Sequence, residues 1–112
     1  RRAKSDLTNI MVNCSEKKIL NIILSDQSEL SEIAIIISFS TNINLIGIIG
    51  ENNKKNINGI PIKKNINSFK EFDAVIVTNI DDSEFRYKEL SKVVPIDKII
   101  VPDVLKFRNR SK

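Results

Sequence analysis

Between Lys18 and Gly50 the apolar positions fall into three blocks: a run of Ile19, Leu20, Ile22, Ile23 and Leu24, an amphipathic segment Ser28–Phe39 behind a polar break, and a second run, Leu45–Ile49. Two short branched-aliphatic runs around a helix-length segment predict a strand–helix–strand unit, because parallel strands need a crossover of that length and are buried on both faces. The first strand is expected over Lys18–Leu24, with Ser25-Asp26-Gln27 as the turn after it. Ser28 is placed to cap the helix, and Glu29 and Glu32 lie in its first turn, where carboxylates offset the exposed amides and the dipole. Leu30, Ile33, Ala34 and Ile37 form the inward stripe.

Upstream, Ala3, Leu7, Ile10, Met11 and Cys14 recur at helical spacing and predict a helix over Arg1–Cys14. Residues 1–16 are thus read as a linking or packing helix, which either covers its own sheet or meets a second copy as a homodimer contact. Downstream, Glu51–Gly59 reads as a polar, mobile loop, and Ile60-Pro61-Ile62 as a short strand that proline confines to an edge. Asn67 or Ser68 is placed to cap a helical turn through Phe69 and Phe72, and Asp73–Thr78 reads as a buried strand. Asp81, Asp82 or Ser83 then caps a helix to about Val94, with a stripe of Tyr87, Leu90, Val93 and Val94, ended by Pro95. Lys98–Val101 is the last strand, closed by Pro102. The alternation predicts an α/β fold: a small doubly wound, mostly parallel five-stranded Rossmann-like sheet in the order 3-2-1-4-5, spanning residues 17–107, with an N-terminal helix and a basic tail at 108–112.

Ile, Asn and Lys dominate the composition, which reads as a base-composition bias rather than as chemistry. The net charge is +4, but seven of the 18 basic residues, Arg1, Arg2, Lys4, Lys106, Arg108, Arg110 and Lys112, lie at the two ends. That leaves 11 basic against 14 acidic side chains in the body, so a nucleic-acid footprint on the body is not expected, and the basic ends read first as solvated tails and second as arms beside a DNA-binding neighbour. A chain opening at Arg1 without methionine reads as a piece of a longer one or as a processed product. With one cysteine, Cys14, and no histidine, an internal disulfide is excluded and a metal cluster is not expected. No apolar run has the length of a membrane span or the layout of a signal peptide, which points to a cytoplasmic protein.

In a sheet of this order, ligands bind beyond the carboxyl ends of the strands, where the strand order reverses. Ser25, Asp26 and Gln27 after the first strand, Glu51 and Asn52 after the second, and Thr78 and Asn79 after the fourth are therefore the candidate cofactor-binding residues. A dinucleotide site needs glycines in the first turn so that the backbone can approach the pyrophosphate. Here that turn has none, and Asp26, Glu29 and Glu32 occupy the place of the phosphates. The site reads as a degenerate nucleotide site with no cofactor favoured. Glu51 alone stands where an acid holds a ribose hydroxyl. No nucleophile, base and orienter come together, so no catalytic residue is assigned and an enzyme acting through this domain alone is not expected.

The stretch IGIIGENNKKNINGIPI at Ile46–Ile62, followed by SFKEFDAVIVTNIDD, resembles small Rossmann-like domains in which a strand, an acid and a basic loop precede a glycine-hydrophobic-proline-hydrophobic strand. The opening RRAKSDLTNIM, running into KKILNIILSDQSELSEIAI, is most similar to the C-terminal Rossmann-like domain of winged-helix, MarR-like regulators associated with polysaccharide synthesis. The matching residues are Glu29, Leu30, Ala34, Gly59 and Pro61, and the departure falls on the turn glycines. This resemblance implies a sensing or dimerising module of a bacterial transcription regulator. A similarity also extends to the N-terminal domain of sugar O-acyltransferases, which implies instead a nucleotide-sugar-binding front domain.

Overall fold

The structure, a computed structural model, describes residues 2–51 and 55–106. Helix α1 spans Arg2–Glu16, strand β1 Asn21–Leu24, helix α2 Glu29–Ser38 and strand β2 Asn44–Ile49. Strands β3 (Asn56–Ile57) and β4 (Ile60–Lys63) form a hairpin, and β5 (Ala74–Ile76), α3 (Ser83–Ser91) and β6 (Ile99–Ile100) complete the chain. Single 3-10 turns cover Ile66–Ser68, Ile96–Lys98 and Asp103–Leu105.

The architecture is α/β, but the sheet has six strands where five are expected, in the order β3-β4-β2-β1-β5-β6. The extra strand lies in the segment read as loop. Asn58 and Gly59 both take positive φ, 52° and 83°, the backbone of a two-residue hairpin turn whose twist matches that of its strands. That turn folds β3 back antiparallel on β4, with Ile57 opposite Ile60 and Asn56 opposite Pro61. Pro61 therefore does not mark the sheet's edge: β4 pairs with β2 on one side and with β3 on the other. The other four neighbouring pairs are parallel.

The connections β1-α2-β2 and β5-α3-β6 leave the centre of the sheet in opposite directions. Right-handed crossovers then put α2 and α3 on opposite faces. Helix α1 packs along α2, on the same face. This double layer explains why α2 buries more than one stripe. Leu30, Ala34 and Ile37 are buried as expected, and so is Ile35, while Ile33 is only half-buried. Leu7 and Met11 of α1 are fully enclosed and Cys14 almost so, each large side chain adding roughly 1.5–3 kcal/mol of apolar burial. The Asp6 carboxylate accepts a hydrogen bond from the Val104 amide at 2.7 Å and ties α1 to the far end of the described chain. The apolar stripe of α1 is thus buried within the domain, and any contact with a second copy through this helix has to use its other side.

On the opposite face, Phe69 lies over Gly47. The register of β1 on β2 slips between Ile22 and Ile23, leaving Ile46 as a bulge, and Gly47 follows directly. A Cβ on Gly47 would fall inside the Phe69 ring, within van der Waals distance of three of its carbons. Helix α3 is shorter than expected. Leu90 and Val94 are buried, but Val93 is 55% exposed and belongs to no inward stripe. Asp82 holds the N-cap position of α3, yet its side chain makes no capping hydrogen bond. Among the described residues no helix is long and apolar enough to cross a membrane.

Candidate functional site

The parallel pairing of β1 with β5 sets Leu24 beside Ile76, so the turns that follow the two strands lie side by side where the strand order reverses. Four of the seven candidate residues meet there: Ser25, Asp26, Thr78 and Asn79. Ser25, Thr78 and Asn79 are all buried, at 0%, 0% and 2% exposure. Gln27 is half-buried in the same turn, whereas Glu51 is exposed beyond β2; Asn52 lies outside the described residues.

Three hydroxyls join the two turns, each giving one proton and accepting in return. Ser25 Oγ donates to Asn79 Oδ1 at 2.5 Å and accepts from the Thr78 amide at 2.8 Å. Thr78 Oγ1 donates to the Asp26 carbonyl at 2.7 Å and accepts from the Asp26 amide at 2.9 Å. Ser28 Oγ donates to the Thr78 carbonyl at 2.6 Å and accepts from the amides of Leu30 and Ser31 at 3.1 and 3.4 Å. Buried polar groups need such partners, because an unpaired one costs about 1–3 kcal/mol. Serine and threonine are suited to joining two adjacent turns, since a hydroxyl gives and accepts within one small volume.

The same arrangement closes the start of α2. The amides of Leu30 and Ser31 are those that a phosphate would address at a helix N-terminus, and Ser28 Oγ already takes both. Ser31 completes a reciprocal cap, its Oγ accepting from the Ser28 amide and donating to the Ser28 carbonyl, both at 2.7 Å. Ser28 was legible as a cap. The second half was not, because the usual partner at that position is Glu or Gln, and Ser31 stands in for it. The turn also contains no positive-φ residue: among the described residues those are Lys18, Asn58 and Gly59. Its backbone has neither the glycines nor the left-handed conformation that brings a main chain close to a pyrophosphate.

The acidity of Asp26 is shifted by its surroundings. Partial burial pushes its carboxyl above the ordinary aspartate value, a hydrogen bond from the Gln27 amide opposes this, and the nearby charges of Asp82 and Arg86 act in opposite senses. Arg86, on α3, acts on that carboxyl through its charge. Its guanidinium lies 3.8 Å from the Glu89 carboxylate, and its Nε is buried without a hydrogen-bond partner. The folded state holds the Asp26 proton more tightly than the unfolded chain, so ionisation of Asp26 removes stability as pH rises from the ordinary aspartate value to the raised one. Asp26→Asn is therefore expected to be more stable than the parent at pH 7 and equal to it below the aspartate range; urea denaturation at pH 7 and pH 3 measures the difference, and a gain of equal size at both pH values would remove the ionisation argument.

Among the described residues no group of three or more His, Cys, Asp or Glu side chains is placed to hold a metal ion. Cys14 is buried in the inward stripe of α1, and that burial pushes its thiol up, with the Lys17 charge acting the other way. It packs as a small apolar side chain.

No family model matches this chain, and neither a curated protein nor a solved structure is significantly similar to it.

Proposed function

We propose that this chain is a non-catalytic Rossmann-like regulatory or assembly module, the sensing or dimerising part of a bacterial transcription regulator. It acts in the cytoplasm, and DNA is reached through a neighbouring winged-helix domain. The observation that supports this is the closed junction of the turns after β1 and β5: the hydroxyls and amides placed where a nucleotide phosphate would bind are hydrogen-bonded to one another. A phosphate entering there has to displace Ser28 Oγ from two amides and to face Glu29 and Glu32, whose charges repel it.

One observation favours a second reading, the nucleotide-sugar-binding front domain of a polysaccharide-modifying acyltransferase. Glu51 is exposed just beyond β2, where a carboxylate takes a ribose hydroxyl in sheets of this kind. Thermal unfolding of the 112-residue chain with NAD(H), NADP(H), ATP, coenzyme A and UDP-sugars separates the two. A ligand at about 100 times its dissociation constant adds about 2.7 kcal/mol, roughly 10–15 °C in a domain of this size. No shift with any of them is the expected result. A shift confined to UDP-sugars would establish the second reading, and a shift with a dinucleotide would overturn both.

A further inference from the structure

Asn58 is the only asparagine in the sequence that precedes a glycine. The difference matters because an asparagine carboxamide is open to attack by the backbone nitrogen of the residue that follows it. Six others, Asn9, Asn21, Asn42, Asn56, Asn65 and Asn79, are followed by isoleucine, whose branched side chain crowds that nitrogen. Glycine leaves it bare. A Cβ built on Gly59 would meet nothing within 4 Å, and Asn58 and Gly59 are both exposed.

The turn that presents this pair also restrains it. Asn58 and Gly59 stand at φ 52° and 83° between the paired residues Ile57 and Ile60. The Gly59 amide donates to Asn56 Oδ1 at 3.2 Å, so the nitrogen that has to react is the one that Asn56 holds. Ring closure requires that nitrogen to swing about the Asn58 Cα–C bond until it faces Cγ, which the closed turn prevents.

We propose that Asn58 is a site of spontaneous deamidation and that the Asn56 side chain is the latch that sets its rate. In the opened turn the Gly59 amide gives its proton to hydroxide, and its nitrogen bonds to Asn58 Cγ. The bond from Cγ to Nδ2 breaks, Nδ2 takes a proton from water, and ammonia leaves. The cyclic imide then takes up a water. Opening at Cγ gives aspartate, and opening at the Asn58 main-chain carbonyl gives isoaspartate. No electrons are transferred, and solvent supplies the only co-reactant.

The two products differ in consequence. Aspartate keeps the backbone, and Asp-Gly suits the same turn. Isoaspartate adds a methylene to the main chain inside a two-residue loop, and because such a loop fixes the strand register, the pairing of Ile57 with Ile60 is lost. Since β3 is the outermost strand, the damage stays at the edge of the sheet, away from the turns after β1 and β5.

The test is incubation of the 112-residue chain for days at neutral and mildly alkaline pH, beside a synthetic peptide covering Lys55–Lys63. Peptide mapping by mass spectrometry locates the converted residue, and an isoaspartyl methyltransferase counts isoaspartate. The expected result is conversion at Asn58 ahead of every other asparagine, including the exposed Asn67 before Ser68, faster as pH rises and slower in the chain than in the peptide. Asn56→Ala speeds conversion in the chain about fivefold, the change in opening that one net hydrogen bond sets, and leaves the peptide's rate unchanged. Asn56→Asp, which keeps an acceptor, is no faster than the parent. An Asn58 that stays intact in the chain while the peptide converts, another asparagine converting first, a chain as fast as the peptide, or an Asn56→Ala chain no faster than the parent would overturn the inference. No ligand enters this readout, so it stands apart from the nucleotide screen.

Discussion

Gly47→Ala is expected to destabilise this domain by about 3 kcal/mol, the upper part of the range for overpacking a filled core. The added methyl has nowhere to go. Its carbon would overlap Phe69 Cε1 and Cζ, and the ring is 8% exposed, seated on β2 within the core cluster. Relief requires Phe69 to leave that seat or β2 to move away from its neighbours, and β2 is paired on both sides, to β1 and to β4. Phe69→Ala alone is expected to cost about 3 kcal/mol through lost burial and the cavity left behind. In the double variant the alanine methyl occupies part of that cavity, so the two losses fall short of their sum by about 1–3 kcal/mol. Urea denaturation of the four proteins measures the cycle. A neutral Gly47→Ala, or strict additivity, would mean that the ring is not held over the glycine.

Asn79→Ala is the second large effect, about 2–3 kcal/mol, from a cut side chain and a stranded Ser25 hydroxyl inside a buried site. For a domain of about this length that corresponds to roughly 8–15 °C in melting temperature. Ser25→Ala should have a comparable effect for a different reason: it removes the acceptor of the Thr78 amide at 2.8 Å, and a buried amide without an acceptor is the costlier half of a broken pair. Because the two side chains share one hydrogen bond, the double variant should lose less than the sum. Losses below about 0.5 kcal/mol for each single variant would show that water reaches the two turns and replaces the lost partners.

The local elements were legible because their signals are local. Branched aliphatics at Ile22–Leu24 and Ile48–Ile49, the helical stripe Leu7-Met11-Cys14 and the Ser28 cap each announce themselves within one or two turns of chain. The hairpin went unread because Asn58-Gly59 sits in a stretch whose asparagines and lysines carry the compositional bias of the whole chain, and because two-residue strands leave almost no alternating pattern to detect. Val93 was misread because helix periodicity shows which residues share a stripe but not where the helix ends against its sheet.

The candidate site divides in the same way. The sequence by itself determined that the turn after β1 lacks glycine and carries acid, which bears against a dinucleotide, and it brought Ser25, Asp26, Thr78 and Asn79 forward as residues at the carboxyl ends of central strands. Only the tertiary structure decided what those residues do. Ser25 and Asn79 are 54 positions apart, and whether two such side chains meet depends on the pairing of β1 with β5, a non-local choice that no window of sequence contains. The same holds for the apolar faces of the helices: spacing alone marks a stripe on α1 and another on α2, but which is buried follows from α1 lying along α2 on one side of the sheet, which leaves Ile36 and Phe39 outside.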